Sequence, residues 1–149
     1  MSLQDGIMTA MKVAMKAKDQ TALTALRAVK SAILMAQTES GAASELTEEQ
    51  ELKLLQKQVK QRKDSAAIFL EQGREDLAAP ELAEAEIISQ FLPEAMSDEE
   101  VERIVIKAIE DLGANGMKDM GKVMGVVSKQ VAGQADGKTI SKIVKSKLI

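Results

Sequence analysis

"SDEEVERIVIKAIEDLG", residues 97–113, contains a complete helix from its start signal to its stop. Ser97 and Glu100 form a capping box, in which the hydroxyl accepts from the amide three residues on and the carboxylate reaches back to the cap's own N–H. Asp98, Glu99 and Glu100 also place negative charge at the positive end of the helix dipole. Val101, Ile104, Val105, Ala108, Ile109 and Leu112 then recur at the helical period, and Gly113 ends the run.

The same period continues on both sides, and no strand pattern competes with it anywhere. Downstream, the spacing predicts a helix over 118–131 burying Met120, Val123, Met124, Val127 and Val131 and closed by Gly133. A last helix is predicted from Asp136-Gly137, burying Ile140, Ile143, Val144 and Leu148. Together these form a small three-helix domain over 97–149, with "LPEAMS" (92–97) as the hinge before it.

Upstream, residues 1–94 are expected to form a four-helix domain. Leu3, Ile7, Met8, Met11, Ala14 and Met15 share one face of a helix over 2–18. Asp19 caps a second whose stripe is Leu23, Leu26, Val29, Ile33 and Leu34. "SGAASEL" (40–46) is a turn-rich break, after which Thr47 and Gln50 make another capping box. The third helix runs to about residue 72 on Leu52, Leu55, Val59, Arg62, Ala66 and Phe69, with Gly73 as its terminator. Pro80 fits the first turn of a fourth helix, where its missing N–H costs nothing, and that helix is expected to bury Leu82, Ala85, Ile88 and Phe91 or Leu92 before Pro93 ends it. The fold class is therefore all-α.

Composition narrows the chemistry. With 149 residues, 45% of them hydrophobic but only 1% aromatic, the core must be built from Leu, Ile, Val, Met and Ala. The absence of Cys and His removes disulfides, thiolate nucleophiles, Ser-His-Asp triads, the usual zinc sites and histidine bases together. No Ser sits in a G-x-S-x-G setting, and "GQADGKT" (133–139) misses the phosphate-loop spacing by one residue. No catalytic residue, metal site or cofactor is assigned. No apolar run reaches the length of a membrane span, and Asp5 stands where a signal peptide needs a basic end, so a cytoplasmic location is expected.

Net charge is −3, but it is unevenly spread. From Met117 to Ile149 seven lysines oppose only Asp119 and Asp136, a net +5, which leaves −8 on the first 116 residues. Lys118, Lys122 and Lys129 lie near one stripe of their helix, and Lys138, Lys142 and Lys145 near one stripe of the next. Either these are ordinary solvated faces, or they form a surface for phosphate. With Phe69 and Phe91 as the only aromatics, no base-stacking platform accompanies them. Gly121 and Gly125, one turn apart, mark either a tight crossing inside the bundle or a bare groove for a partner. In the first domain, Arg62, Asp64, Arg74 and Glu84 are candidates for ion pairs joining the third helix to the fourth. Arg62 stands out because it occupies an apolar stripe position, where a carboxylate such as Glu84 or Glu86 would be its partner.

The segments "KQRKDSAAIFLEQGREDLAAPELAEAEIISQFLPEAMSDEE" (60–100), "DMGKVMG" (119–125) and "ADGKTISKIVK" (135–145) resemble the GatB/YqeY family. Its stand-alone bacterial members are similar to the C-terminal tail of the B subunit of tRNA-dependent amidotransferase. The resemblance covers nearly the whole chain, and Pro80 departs from the polar residue expected there. It implies a four-helix part followed by a three-helix part, with tRNA or a tRNA-processing enzyme as partner and neither membrane nor DNA. In the parent complex a carbon–nitrogen ligase uses glutamine as amido-nitrogen donor, through centres outside this region. Onto this chain the resemblance carries residues 118–125, 135–137, 62–65 and 73–74, without separating those that touch RNA from those that pack. The expected function is a noncatalytic, tRNA-binding accessory protein. The alternatives are a helical protein-interaction module with no RNA role, and a part of a larger glutamine-dependent ligase; the oligomeric state stays open.

Overall fold

A computed structural model describes residues 2–39 and 45–149, and among them every regular element is helical. Seven α-helices follow in order: α1 (Leu3–Ala17), α2 (Gln20–Glu39), α3 (Glu48–Glu71), α4 (Glu75–Ser89), α5 (Asp98–Leu112), α6 (Met120–Gln130) and α7 (Gly137–Leu148). A short 3-10 turn, Met117–Asp119, leads into α6. The chain divides into two compact units, Met1–Leu92 and Pro93–Ile149. Of the turn-rich stretch 40–46, residues 40–44 lie outside the described part.

The helices begin where side chains can satisfy their free amides. Ser2, Thr47 and Ser97 each accept from the amide three residues on, and Asp5, Gln50 and Glu100 return the bond. Asp19 Oδ1 accepts from Ala22 N at 3.1 Å, and Asp136 Oδ1 from Thr139 N at 2.7 Å. Gly113 closes α5 in the left-handed region at φ 60°, where a side chain would crowd the backbone.

In the first unit, α1, α2, α3 and α4 surround Ile7, Leu23, Leu26, Val29, Ile33, Leu55, Val59, Ala85 and Ile88, with α3 and α4 sharing the most extensive contact. In the second, Val101, Val105 and Ala108 of α5 meet Val123, Val127 and Val131 at α6, and Ile140, Val144 and Leu148 of α7.

Several expected core positions are not in the core. Met8 is 42% exposed and Leu34 51%, while Met15, Leu82 and Leu112 are also exposed. Each stands at the margin of its helix's apolar stripe. With few neighbours on that side, the apolar period outruns what the bundle covers.

The fourth helix also starts earlier than expected. Leu77 and Ala78 already donate to the Arg74 carbonyl, and Ala78 is fully buried, so the turn before Pro80 is held by packing. Pro80 therefore sits in the second turn, where it withholds a donor from the Asp76 carbonyl and crowds it. In the second unit, α6 begins at Met120 rather than at residue 118, because Gly116 at φ 77° and the 3-10 turn take up the preceding chain. Replacing Pro80 with Ala restores the missing bond, and thermal or urea unfolding should find that variant more stable by about 1–3 kcal/mol.

Candidate nucleic-acid interface

Along α6 successive residues turn by about 100°. Val123 and Val127 point into the bundle and are fully buried, which leaves Gly121, Lys122, Gly125 and Lys129 exposed on the opposite side. A Cβ built on Gly121 or Gly125 meets nothing within 4 Å. The expectation of a tight crossing inside the bundle is therefore corrected: α5 and α7 pack against the valine face of α6, and the glycines open outward.

The same division holds on α7. Ile140, Val144 and Leu148 are buried, while Lys138, Lys142 and Lys145 are exposed on the other side of the helix. Lys118 is exposed on the 3-10 turn before α6. None of these six lysines has an ion-pair partner among the described residues. The seventh behaves differently, since Lys147 Nζ lies 2.6 Å from Glu102 Oε1 and ties α7 to α5. The structure thus places Lys122 and Lys129 on one face, Lys138, Lys142 and Lys145 on another, and Lys118 on the turn ahead of the first.

The two aspartates among the motif residues have structural roles. Asp119 Oδ2 accepts from Asn115 N at 2.9 Å and closes the loop into α6, while Asp136 caps α7. Met120, Met124 and Ala135 pack against the core. A further tie gave no signal in the sequence, because it depends on loop geometry: Gln134 accepts from Met96 N through its backbone carbonyl at 2.9 Å and donates its side-chain amide to the Glu94 carbonyl at 3.4 Å.

Of the four candidate ion-pair residues in the first unit, only two meet across α3 and α4. Arg62 Nε lies 3.8 Å from Glu84 Oε2, and both side chains are about seven-eighths buried, at 13% and 14% exposed. The distance is too long for a hydrogen bond, so Nε is left without a hydrogen-bond partner. The guanidinium donates through Nη1 to Gln58 instead, to Oε1 at 2.8 Å and to the carbonyl at 3.2 Å. Asp64 pairs with Lys60 inside α3 at 2.8 Å, and Arg74 with Asp76 at 2.9 Å, both in solvent. Those two pairs are local, which corrects the expectation that Asp64 and Arg74 join the helices.

The model of the Yqey-like protein family matches residues 4–148. The chain belongs to the YqeY-like family. One relative, "Altered inheritance of mitochondria protein 41, mitochondrial" of Clavispora lusitaniae, is 38% identical over 125 residues, 81% of this chain and 69% of that protein. Its namesake in Pyrenophora tritici-repentis is 32% identical over 136 residues, 89% of this chain and 73% of that protein. The similarity to amidotransferases is to a glutamyl-tRNA(Gln) amidotransferase subunit of Thermococcus gammatolerans, 37% identical over 73 residues, which are 46% of this chain and 12% of that protein. Two of these YqeY-like relatives are named as mitochondrial, so kinship alone does not assign a compartment. No described helix is long and apolar enough to cross a membrane.

Burial is the largest influence on Glu84 and holds its carboxyl above the usual range; Arg62 opposes the shift and Glu81 adds to it. The folded chain therefore binds this proton more tightly than the unfolded chain. Its stabilising share is present while Glu84 is protonated and is lost as pH rises through the raised value. Chemical denaturation over that acidic window should show the parent chain losing stability relative to Glu84→Gln as pH increases.

Proposed function

We propose that this YqeY-like chain is a noncatalytic, cytoplasmic accessory of tRNA metabolism that contacts RNA phosphates through Lys118, Lys122, Lys129, Lys138, Lys142 and Lys145. On this reading residues 1–94 and 97–149 act as separate domains, and the second carries the RNA contact. The observation that supports it most is the sorting of charge within residues 93–149. Residues 93–116, which include α5, hold a net −5, while 117–149 hold a net +5, most of it on six exposed lysines without ion-pair partners. A domain of zero net charge gains nothing from such sorting for solubility, whereas a polyanion is drawn to one side of it.

Contact to phosphate rather than to bases fits the lack of exposed aromatic residues, because ammonium groups position a backbone without reading its sequence. The similarity to a subunit of a tRNA-dependent amidotransferase favours tRNA as the polyanion. Glutamine-dependent amide transfer would belong to a larger ligase in which such a domain holds the tRNA. Retention of total tRNA by the full chain should be clear at low salt and fall steeply as salt rises. A variant with Lys122, Lys129, Lys138 and Lys142 changed to Glu should lose retention while keeping its melting temperature; unchanged retention would falsify the proposal.

The open glycine face of α6 favours a second reading, in which a partner helix settles against Gly121 and Gly125 and RNA plays no part. Gly125→Leu has room to be accommodated, since nothing lies within 4 Å of its Cβ. If this reading holds, pull-down from extract by the full chain should lose its protein partner in that variant while tRNA retention and folding stay unchanged.

A further inference from the structure

We propose that the outer side of the α1–α2 hairpin is a docking groove for an amphipathic helix flanked by carboxylates, supplied by another protein. This inference is independent of the RNA reading, which concerns α6 and α7.

The groove has an apolar floor and wall. Ile7 and Ile33 form its base, Met8 and Leu34 rise beside them at 42% and 51% exposed, and Gln4 and Lys30 complete the lining. Met8, Met11 and Met15 stand at i, i+3 and i+7, so they run as one stripe along two turns of α1. The Met11 end of that stripe packs on the core, while Met8 and Met15 face water. Unbranched thioether side chains in such a position adapt to an incoming apolar surface. A strip two turns long between helices suits the i, i+3, i+7 anchors of a docked helix.

Charge selects the occupant. Lys30 lines the groove, and Lys12 and Arg27 are exposed on the same two helices. The acids of the hairpin stand near its helix ends. Asp5 is held by Ser2 in the cap of α1, Asp19 caps α2, and Glu39 is the last residue of α2. The cations are thus uncompensated where a partner would lie. A second copy meeting groove to groove would set Lys12, Arg27 and Lys30 against their own kind, which disfavours self-association. A helix bearing Glu or Asp beside its apolar stripe meets both the Met-Leu wall and the cations.

The test uses the full chain and two labelled helical peptides of identical Leu stripe, one flanked by Glu and one by Lys, read by fluorescence anisotropy and by amide shifts in NMR. The Glu-flanked peptide should bind saturably and shift α1 and α2. Met8→Glu combined with Leu34→Glu should weaken it by about tenfold or more, because both anchors then repel it. Both positions are exposed, and an unchanged thermal melt confirms that the variant is folded. Lys30→Glu, which leaves the apolar wall intact, should weaken the Glu-flanked peptide and favour the Lys-flanked one. Equal binding of the two peptides, binding indifferent to these variants, or no saturable binding would overturn the proposal. So would tRNA or anionic phosphatidylglycerol vesicles displacing the peptide and showing the same dependence on Met8 and Leu34, since the groove would then serve a polyanion or a membrane.

Discussion

With two phenylalanines in 149 residues, the cores of this protein depend on helices approaching closely over Val, Ile, Leu and Ala. Neither Phe69 nor Phe91 is fully buried. Small and β-branched side chains fill less space than aromatic ones, so they reach interior density only if each helix turns one narrow stripe inward and holds it there. In the second unit this stripe is almost all valine: Val101 and Val105 on α5, Val123, Val127 and Val131 at α6, Val144 on α7. Rotation about each helix axis is thereby fixed, and so is whatever lies on the outer side.

That constraint explains how one motif both folds and presents a surface. In residues 118–125 Val123 is buried and Met120 and Met124 lie against the core, while Asp119 closes the loop before the helix. Gly121, Lys122 and Gly125 are left outside by the same rotation. The glycines cost helix stability at exposed positions where alanine would fit, roughly 1 kcal/mol each, and no neighbour in the fold repays it. A cost without a packing return directs attention to what comes from outside the chain.

Buried charge plays a smaller part in holding the first unit together. Arg62 and Glu84 face each other across α3 and α4 without a direct hydrogen bond, and burial acts on Glu84 more strongly than the guanidinium does. Desolvation of two such groups offsets much of their attraction. The contact between α3 and α4 therefore rests on apolar residues such as Val59 and Ala85, with Arg62 accommodated through Gln58.

Local chemistry was legible without the fold. The capping boxes at Thr47 and Ser97, the caps at Asp19 and Asp136, the stop at Gly113 and most of the inward stripes follow from hydrogen-bonding groups and apolar residues a few positions apart. The start of α4 did not follow, because burial of Ala78 outweighs the local preference that would put Pro80 in the first turn. The margins of the stripes did not follow either: Met8, Leu34 and Leu82 have the right period, but exposure depends on whether a neighbouring helix covers that side. Sequence spacing likewise put Gly121 and Gly125 on one face, and only packing decided that the face is open. By itself the sequence determined that the chain is helical, where most helices begin and end, and that its last lysines share faces, since these are contacts within a turn or two. Tertiary structure decided which faces meet and which ion pairs cross between helices, because those depend on residues distant in the chain being brought within a few ångströms.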